Sequence, residues 1–327
     1  TGSTTGTGTG NNGVDIESGI TLVINATGTA NLGITGTADG TDEAVEVDSP
    51  INSASGNVTI TALNGNSTTD DITFGAAGDI TSTSGAITIN ADTAGNTADV
   101  TMADGAVINA GSGTIDIDAD VDVTLGSLVT TNASATAISI NAIAGGVIDA
   151  GDTDTDIVAN SGTVTIDAAT GVGSAGNIET QINILDLDNT TSGNVDINET
   201  DDLNINQLDQ DATGTVNVDA GGTITVVAGQ AGITGTSGQV ELDANGTTSS
   251  INVNDDVTTT GGAINILADD DVTLSADGDV TSGNGNVTVA ADADTGGAAS
   301  GALTMADGAV INAGSGTVDM DANEDVT

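Results

Sequence analysis

The chain has 327 residues, of which 48 are Asp or Glu and none is Lys, Arg or His, so its formal net charge is −48. Nucleic acids and anionic membrane surfaces are held by basic side chains, and this composition argues against both as partners. The absence of cysteine excludes disulfide bonds, and Phe74 is the single aromatic residue. An interior would therefore have to be built from Val, Ile, Leu and Ala.

Strand patterns begin at Val14, after a low-complexity Gly/Thr lead-in over residues 1–13. Alternation of apolar and polar residues buries one face of a strand and exposes the other, and it recurs from Val14 onward. We predict one continuous β structure over residues 14–327. Because the chain starts without a methionine and finishes within a repeat, we expect it to be a fragment of a longer exported protein.

An eight-residue frame, S-G-x-V-x-I-x-A, organises most of the chain. In the copy at Ser112–Ala119, Ile115 and Ile117 alternate with Asp116 and Asp118, which predicts a strand with one apolar face. Eleven copies occur at intervals of 21 to 31 residues, about 26 on average. They begin at Ser55, Ser84, Ser112, Ala135, Ser161, Ser192, Thr213, Ser237, Gly261, Asn284 and Ser315.

A second short strand follows the frame in many repeats and is often preceded by an aspartate, as in Asp122–Leu125 (DVTL) and Asp271–Leu274 (DVTL). A third short element follows in several repeats, as in Asp79–Thr81. Two or three short strands per repeat, separated by Gly, Asn and Asp turns, are typical of a parallel β-helix, or β-solenoid. We predict an all-β solenoid of roughly a dozen turns, each of about 26 residues.

A longer duplication lies over this short period. Residues 101–124 match residues 304–327 at 20 of 24 positions, at a distance of 203 residues. The chain therefore contains a super-repeat of about eight turns. Duplication of this kind lengthens a repeat protein without changing its cross-section.

Rows of outward-facing aspartates are the strongest candidate site. If the alternation of residues 115–123 continues in one strand, four carboxylates lie in one row on the outer surface, and hard cations such as Ca²⁺ prefer oxygen ligands of this kind. The alternative is a solvated acidic face without bound ions. The candidate metal ligands are Asp116, Asp118, Asp120, Asp122, Asp152, Asp154, Asp156, Asp201, Asp202, Asp269, Asp270, Asp271, Asp319, Asp321 and Asp325.

The sequence gives little support for catalysis. It contains no histidine, cysteine, lysine or arginine to pair with a carboxylate, and no feature that would raise the pKa of one acid selectively. We therefore predict that the chain is not an enzyme. No run of 18 apolar residues occurs, so no transmembrane helix is predicted.

The S-G-x-V-x-I-x-A and D-V-T-L frames resemble the strand repeats of large bacterial surface proteins, namely filamentous-haemagglutinin-like proteins and autotransporter passenger stalks. The resemblance covers Val14 to the last residue. It implies a right-handed parallel β-helix at the cell surface and supplies no catalytic residues. This chain departs from the family pattern by lacking basic and aromatic residues.

These observations predict a structural extracellular repeat protein, a stalk or a self-assembling fibre subunit of a surface adhesin or biofilm matrix, with Ca²⁺ as a stabilising ion. Expected partners are divalent cations and further copies of the chain, bound end to end or side by side, because open strand edges favour pairing. One alternative is an adhesin that binds carbohydrate or a surface through its outer β-face. Another is a row of calcium-dependent β-sandwich repeats, although these would need units of about 100 residues.

Overall fold

The structure is a computed structural model that describes residues 12–19, 22–24, 30–38, 43–63, 71–92, 97–151, 153–173, 176–211, 213–293 and 301–327. These residues form strands and no helix, so none of them belongs to a helix long and apolar enough to cross a membrane. Most of the predicted lead-in, residues 1–11, lies outside the described part. The chain divides into two compact units, Thr1–Ala169 and Thr170–Thr327, which are described in turn.

Unit 1 contains seventeen strands within its described residues. They are β1 Val14–Ile16, β2 Leu22–Ile24, β3 Leu32–Gly36, β4 Val45–Val47, β5 Ile51–Ser53, β6 Val58–Ala62, β7 Ile72–Phe74, β8 Ile80–Ser82, β9 Ile87–Ala91, β10 Val100–Met102, β11 Val107–Gly111, β12 Ile115–Ala119, β13 Val123–Leu125, β14 Ser127–Thr130, β15 Ile138–Ala142, β16 Val147–Asp149 and β17 Ile157–Ala168.

Unit 2 contains sixteen strands within its described residues. They are β18 Ile178–Asn189, β19 Val195–Glu199, β20 Leu203–Gln210, β21 Val216–Ala220, β22 Ile224–Val226, β23 Gly232–Gly235, β24 Val240–Ala244, β25 Ile251–Val253, β26 Val257–Thr259, β27 Ile264–Ala268, β28 Val272–Leu274, β29 Val280–Ser282, β30 Val287–Ala291, β31 Leu303–Met305, β32 Ile311–Asn312 and β33 Val318–Asp321.

Each copy of the frame forms a strand that pairs in parallel with the frame strand of the neighbouring turn. In unit 1, Ile87 is paired with Ile115 and Ile115 with Ile138, so each valine or isoleucine of the frame lies over its counterpart. The same register joins β19, β21, β24, β27, β30 and β33 in unit 2. The predicted parallel β-solenoid is thus confirmed, with about 10 turns spaced about 24 residues apart in the described residues. Strands of tandem β-sandwiches would pair antiparallel, so that alternative is wrong.

The core of each unit is a set of apolar columns running from turn to turn. Frame positions V, I and A are fully buried in the interior turns, as Ile115, Ile117 and Ala119 illustrate. The second strands add a column in which Phe74 lies between Val47 and Met102, all at most 2% exposed. Each fully buried Val or Ile stabilises the fold by about 1.5–3 kcal/mol, which no single turn can gain without its neighbours.

Glycine is required in the frame for a steric reason that the sequence pattern does not show. A Cβ at Gly262 would lie 1.6 Å from the carbonyl oxygen of Gly238, and a Cβ at Gly238 would lie 1.8 Å from that of Gly214. The frame glycines therefore stack on one another with a backbone carbonyl in the place of each missing side chain. Neither Gly238 nor Gly262 has a positive φ, so close approach of turns, and not backbone conformation, selects glycine there.

Inward-facing hydroxyl groups form hydrogen bonds at the corner that follows the third short strand of a turn. The Thr130 hydroxyl donates to the Gly113 carbonyl at 2.6 Å, and the Thr259 hydroxyl donates to the Gly262 carbonyl at 2.7 Å. Ser53 and Ser282 donate to the Gly56 and Gly262 carbonyls in the same way, each at 2.8 Å. These bonds give the buried carbonyls of the stacked glycines a hydroxyl donor.

One strand of unit 2 has no frame in its sequence. The Ser192 copy forms β19, whose residues 197–199 pair with Ile178–Thr180 of β18, and Val195 forms a bridge to Val172. The nearest copy of the frame before Ser192 begins at Ser161, so the sequence pattern does not predict this pairing. Five residues separate Val172 from Ile178, whereas only one separates their partners Val195 and Ile197, so an insertion interrupts the frame on which the prediction depends.

Candidate functional site

The predicted row of four aspartates is divided by a corner of the solenoid. Asp116 and Asp118 lie half-buried on the outer face of β12, but the strand ends at Ala119 because its pairing with both neighbouring strands ends there. The chain bends at Asp120, and Asp122 precedes β13. The prediction of a single row from residue 116 to residue 122 is therefore wrong, because the alternation in the sequence continues through a bend in the backbone.

Aspartates that precede the second strands accept hydrogen bonds from the next turn. In each case the carboxylate oxygen lies 2.8–2.9 Å from a backbone N–H one turn further along the chain, which satisfies a donor at the corner. The pairs are Asp99 N with Asp71 Oδ1, Asp122 N with Asp99 Oδ1, Gly146 N with Asp122 Oδ1, Thr223 N with Asp202 Oδ1, and Ala302 N with Asp271 Oδ1. Three predicted metal ligands, Asp122, Asp202 and Asp271, thus hold adjacent turns together.

Replacement of Asp122 distinguishes this role from metal binding. We expect Asp122→Asn to keep most of the stability, because an amide oxygen still accepts from the Gly146 N–H. Asp122→Ala should lower the free energy of unfolding by about 1–3 kcal/mol, since the buried donor loses its acceptor. Urea denaturation with and without Ca²⁺ measures both effects. Equal losses in the two variants, seen only with Ca²⁺ present, would instead indicate a ligand.

Amide side chains alternate with carboxylates along the outer face of the frame strands. Asn141 Nδ2 donates to Asp118 Oδ1 at 3.3 Å, and Asn217 Nδ2 donates to Asp196 Oδ1 at 3.1 Å. Asn265 Nδ2 donates to Glu241 Oε2 at 2.7 Å. In a chain without a single basic residue, these amides supply the donors that Lys or Arg would otherwise provide.

Two crowded carboxylates on this face of unit 2 have raised pKa values. Burial, followed by the neighbouring charges of Asp219, Asp269 and Glu241, raises the pKa of Asp243 to about 6. Burial likewise raises the pKa of Asp219. Like charges one strand apart, in a chain without basic side chains, disfavour the ionised form, so this face loses part of its charge at mildly acidic pH.

The remaining predicted ligands do not converge on a common site in the described residues. Asp201, Asp319, Asp321 and Asp325 are exposed, as is Asp154, whereas Asp269 and Asp270 are half-buried; Asp152 lies outside the described residues. In none of the predicted clusters around residues 116–122, 201–202, 269–271 and 319–325 do three described carboxylates bring oxygens within 4.8 Å of one another. Burial and the charges of Asp271, Asp292 and Glu324 raise the pKa of Asp270.

Asp149 and Asp156 form a buried carboxylate pair in unit 1. They are 7% and 1% exposed, and oxygens of the two side chains lie within 4.8 Å of each other. Asp149 occupies the inward column of Leu125, and its Oδ1 accepts from the Gly151 N–H at 2.9 Å. Carboxylate oxygens are ligands that hard cations such as Ca²⁺ prefer, and these oxygens are close enough to share one ion, so this pair could hold a metal ion.

Glu199 is a second buried acid and is not among the predicted metal ligands. It occupies the column of the frame alanines in unit 2 and is 1% exposed. The Thr180 hydroxyl and the Ile182 N–H donate to its Oε2 at 2.7 and 3.0 Å, and the Asp201 N–H donates to Oε1 at 3.2 Å. Burial outweighs these donors and raises the pKa of Glu199 to about 7.

Asp149 and Glu199 each occupy a position at which other repeats have an apolar residue. Asp149 replaces the leucine of D-V-T-L, and Glu199 replaces the final alanine of S-G-x-V-x-I-x-A. An acid at an inward position of a repeat is therefore the signal by which sequence alone could have found them.

Together, the parallel turns and the 48 acidic residues without a basic residue define the class of protein as an acidic β-solenoid. Comparison of the chain with protein-family models, with curated proteins and with solved structures found no match.

Proposed function

We propose that the chain is a structural repeat segment of an extracellular protein, used as a stalk or as a fibre subunit of a surface adhesin or biofilm matrix. The observation that supports this best is the use of its outward polar groups. Carboxylates such as Asp122 accept hydrogen bonds from neighbouring turns, and others such as Asp118 are paired with amides. These groups are engaged in holding the solenoid together rather than in forming a cleft for a substrate.

The same reasoning supports a non-enzymatic role. Acid–base and nucleophilic catalysis at neutral pH draw mainly on His, Cys, Lys or Tyr, or on a carboxylate tuned by them, and the chain has none of these four residue types. Glu199, whose pKa is about 7, is enclosed by the core and presents no oxygen to a substrate. The resemblance to filamentous-haemagglutinin-like repeats agrees with a structural role.

A regular polar row favours a second candidate, which is binding of carbohydrate through the outer face of unit 2. The second strands place Asn204, Thr225, Asn252, Thr273 and Thr304 over one another, pointing away from the core. Hydroxyl and amide groups at the strand spacing of about 4.8 Å offer repeated hydrogen bonds to a polysaccharide. Aromatic platforms for sugar rings are missing, since Phe74 is buried.

Two measurements separate these candidates. In single-molecule stretching between the two ends, a structural solenoid should unfold in steps of about one turn, roughly 80 Å of chain for 24 residues. A glycan array with the same protein should give no signal above background. Glycan binding that is lost in the double variant Thr225→Ala, Thr273→Ala, but kept in Thr88→Ala on unit 1, would favour the carbohydrate-binding candidate.

Calcium is proposed as a stabilising ion at the Asp149–Asp156 pair. Extracellular calcium modules bind with Kd of about 0.1–1 mM, so 10 mM Ca²⁺ should add about 1.4–2.7 kcal/mol to the free energy of unfolding. We expect thermal melts followed by circular dichroism to shift upward with Ca²⁺ and downward with chelator. Asp156→Asn should remove the shift, whereas Asp319→Asn, at an exposed position, should keep it. An identical midpoint with calcium and with chelator would contradict the proposal.

A further inference from the structure

The sequence contains four asparagines that are followed directly by glycine. Such a pair is prone to deamidation, because glycine has no Cβ to hinder attack by its own backbone nitrogen on the asparagine side chain. The reaction needs a side-chain amide that can rotate and a glycine N–H that no acceptor holds. The pairs are Asn12–Gly13, Asn64–Gly65, Asn245–Gly246 and Asn284–Gly285, of which Asn64–Gly65 lies outside the described residues.

The pair Asn284–Gly285 is held by hydrogen bonds at both reacting groups. The Gly285 N–H donates to Ser282 Oγ at 2.7 Å. The Ser315 hydroxyl donates to Asn284 Oδ1 at 3.0 Å. Both bonds must break before the Gly285 nitrogen can approach the Asn284 side chain, so the fold protects this pair although Asn284 is exposed.

The pair Asn12–Gly13 is protected in the same way. The Gly13 N–H donates to the Glu43 carbonyl at 3.1 Å, and Asn12 Nδ2 donates to Glu46 Oε2. Here too, the nitrogen that would attack and the amide that would be attacked are both engaged.

The pair Asn245–Gly246 differs from these two. Asn245 is exposed at the corner after β24, and among the described residues neither its side-chain amide nor the Gly246 N–H has a hydrogen-bond partner. The surrounding backbone is held, because the Asn245 N–H donates to the Ala220 carbonyl at 2.9 Å and the Ser249 N–H donates to the Gly246 carbonyl at 2.8 Å. The corner thus presents both reacting groups to solvent.

Close packing of the turns requires glycine at position 246. A Cβ there would lie 2.1 Å from the Gly221 carbonyl oxygen and 2.4 Å from Ser249 Oγ. Gly246 has no positive φ, so the approach of the neighbouring turn selects glycine. The same contact that shapes the corner therefore supplies the reactive half of the pair.

We propose that Asn245 is a site of spontaneous deamidation in the folded protein. The Gly246 nitrogen loses its proton to solvent and attacks Cγ of Asn245. A C–N bond forms, the Cγ–Nδ2 bond breaks, and ammonia leaves a cyclic succinimide. Water then adds to either ring carbonyl and breaks its bond to nitrogen, which yields aspartate or isoaspartate without any change of oxidation state. The chain has no lysine amine or cysteine thiol that could open the ring in place of water.

Both products weaken the corner. Ala244 and Ala268 are paired, and Asn245 and Asp269 directly follow them, so the new carboxylate lies about one strand spacing, roughly 4.8 Å, from the position of Asp269. No basic side chain in the chain offsets the added charge. We expect the Tm of the aged protein to shift downward, whereas Asn245→Ser, aged in parallel, should keep a higher Tm.

Peptide mapping of the folded protein during storage at pH 8 tests the proposal. Cleavage before aspartate places the four asparagines in separate peptides, and mass spectrometry follows the conversion of each. The rate at each site is divided by the rate at the same site in urea, which removes the effect of neighbouring sequence. We expect this ratio to be at least about tenfold higher for Asn245 than for Asn12 or Asn284, because two hydrogen bonds protect each of these. Equal ratios, or no conversion of Asn245, would overturn the proposal.

Ser282→Ala provides a matched control within unit 2. It removes the acceptor of the Gly285 N–H and leaves the Asn245 corner unchanged. Deamidation of Asn284 should then rise about threefold or more, while the rate at Asn245 stays the same. Circular dichroism checks that the variant is folded. An unchanged rate at Asn284 would show that hydrogen bonding does not protect the pair and would overturn the physical reason for choosing Asn245.

Discussion

The protein should become more stable as the pH falls from 8 to 5. Glu199 has a pKa of about 7 in the folded protein, above its ordinary value of 4.5, so the folded state holds a proton that the unfolded state releases. Its contribution is fully present below about pH 4.5 and is lost as the pH rises through about 7. For this residue alone the difference is about 3 kcal/mol, or roughly 6–12 °C in Tm.

The other shifted acids act in the same direction. Burial, with added charge repulsion in most cases, raises the pKa of each of them, so each favours the folded state at lower pH. They are Glu46, Asp99, Asp118, Asp167, Asp219, Asp243 and Asp270. A chain of net charge −48 also gains from losing part of its self-repulsion.

Glu199→Gln isolates the buried residue. The amide keeps an acceptor for the Thr180 hydroxyl and the Ile182 N–H but cannot ionise, so unit 2 should gain about 3 kcal/mol at pH 8 and change little at pH 5. Glu17→Gln makes the same change of charge at an exposed position of unit 1 and serves as the control. Thermal melts of the three proteins from pH 5 to pH 8 measure the effect. Parallel pH profiles for the parent chain and Glu199→Gln would refute the assignment.

The frame and its register could be predicted from the sequence because each turn repeats the same physical problem. The inward ladder of Ile87, Ile115 and Ile138 follows directly from alternation, and so does the position of each second strand. The bend at Asp120 could not be predicted, because the residues alternate without interruption across it. Strand ends are fixed by neighbouring turns, which the local pattern does not contain.

The candidate site was harder to predict for a related reason. Alternation tells which side of a strand a carboxylate occupies, but not which group lies one turn away. The pattern therefore predicts Asp122 and Asp202 as metal ligands, although each accepts a hydrogen bond from the next turn. Asp149 and Glu199 were missed because they lie on the inward side, where an acid is not expected.

Substitution of a stacked glycine tests how closely the turns approach one another. In Gly262→Ala the new methyl group would lie 1.6 Å from the Gly238 carbonyl oxygen, and both atoms belong to backbone that neighbouring ladders hold in place. The turns must separate locally, which stretches the hydrogen bonds on either side and the inward contact of the Thr259 hydroxyl with the Gly262 carbonyl. We expect a loss of at least about 3 kcal/mol, or a fall in Tm of about 6–12 °C.

The adjacent residue provides the control for this loss. A Cβ at Gly261 meets no atom within 4 Å, and Gly261 has no positive φ, so Gly261→Ala should change the free energy of unfolding by no more than about 0.5 kcal/mol. Both variants remove one glycine from the unfolded chain, so the entropic effect of that change cancels in the comparison. Urea denaturation of the pair measures the difference. Equal stabilities would show that the turns are free to move apart at this corner, and the steric reason for glycine in the frame would then be wrong.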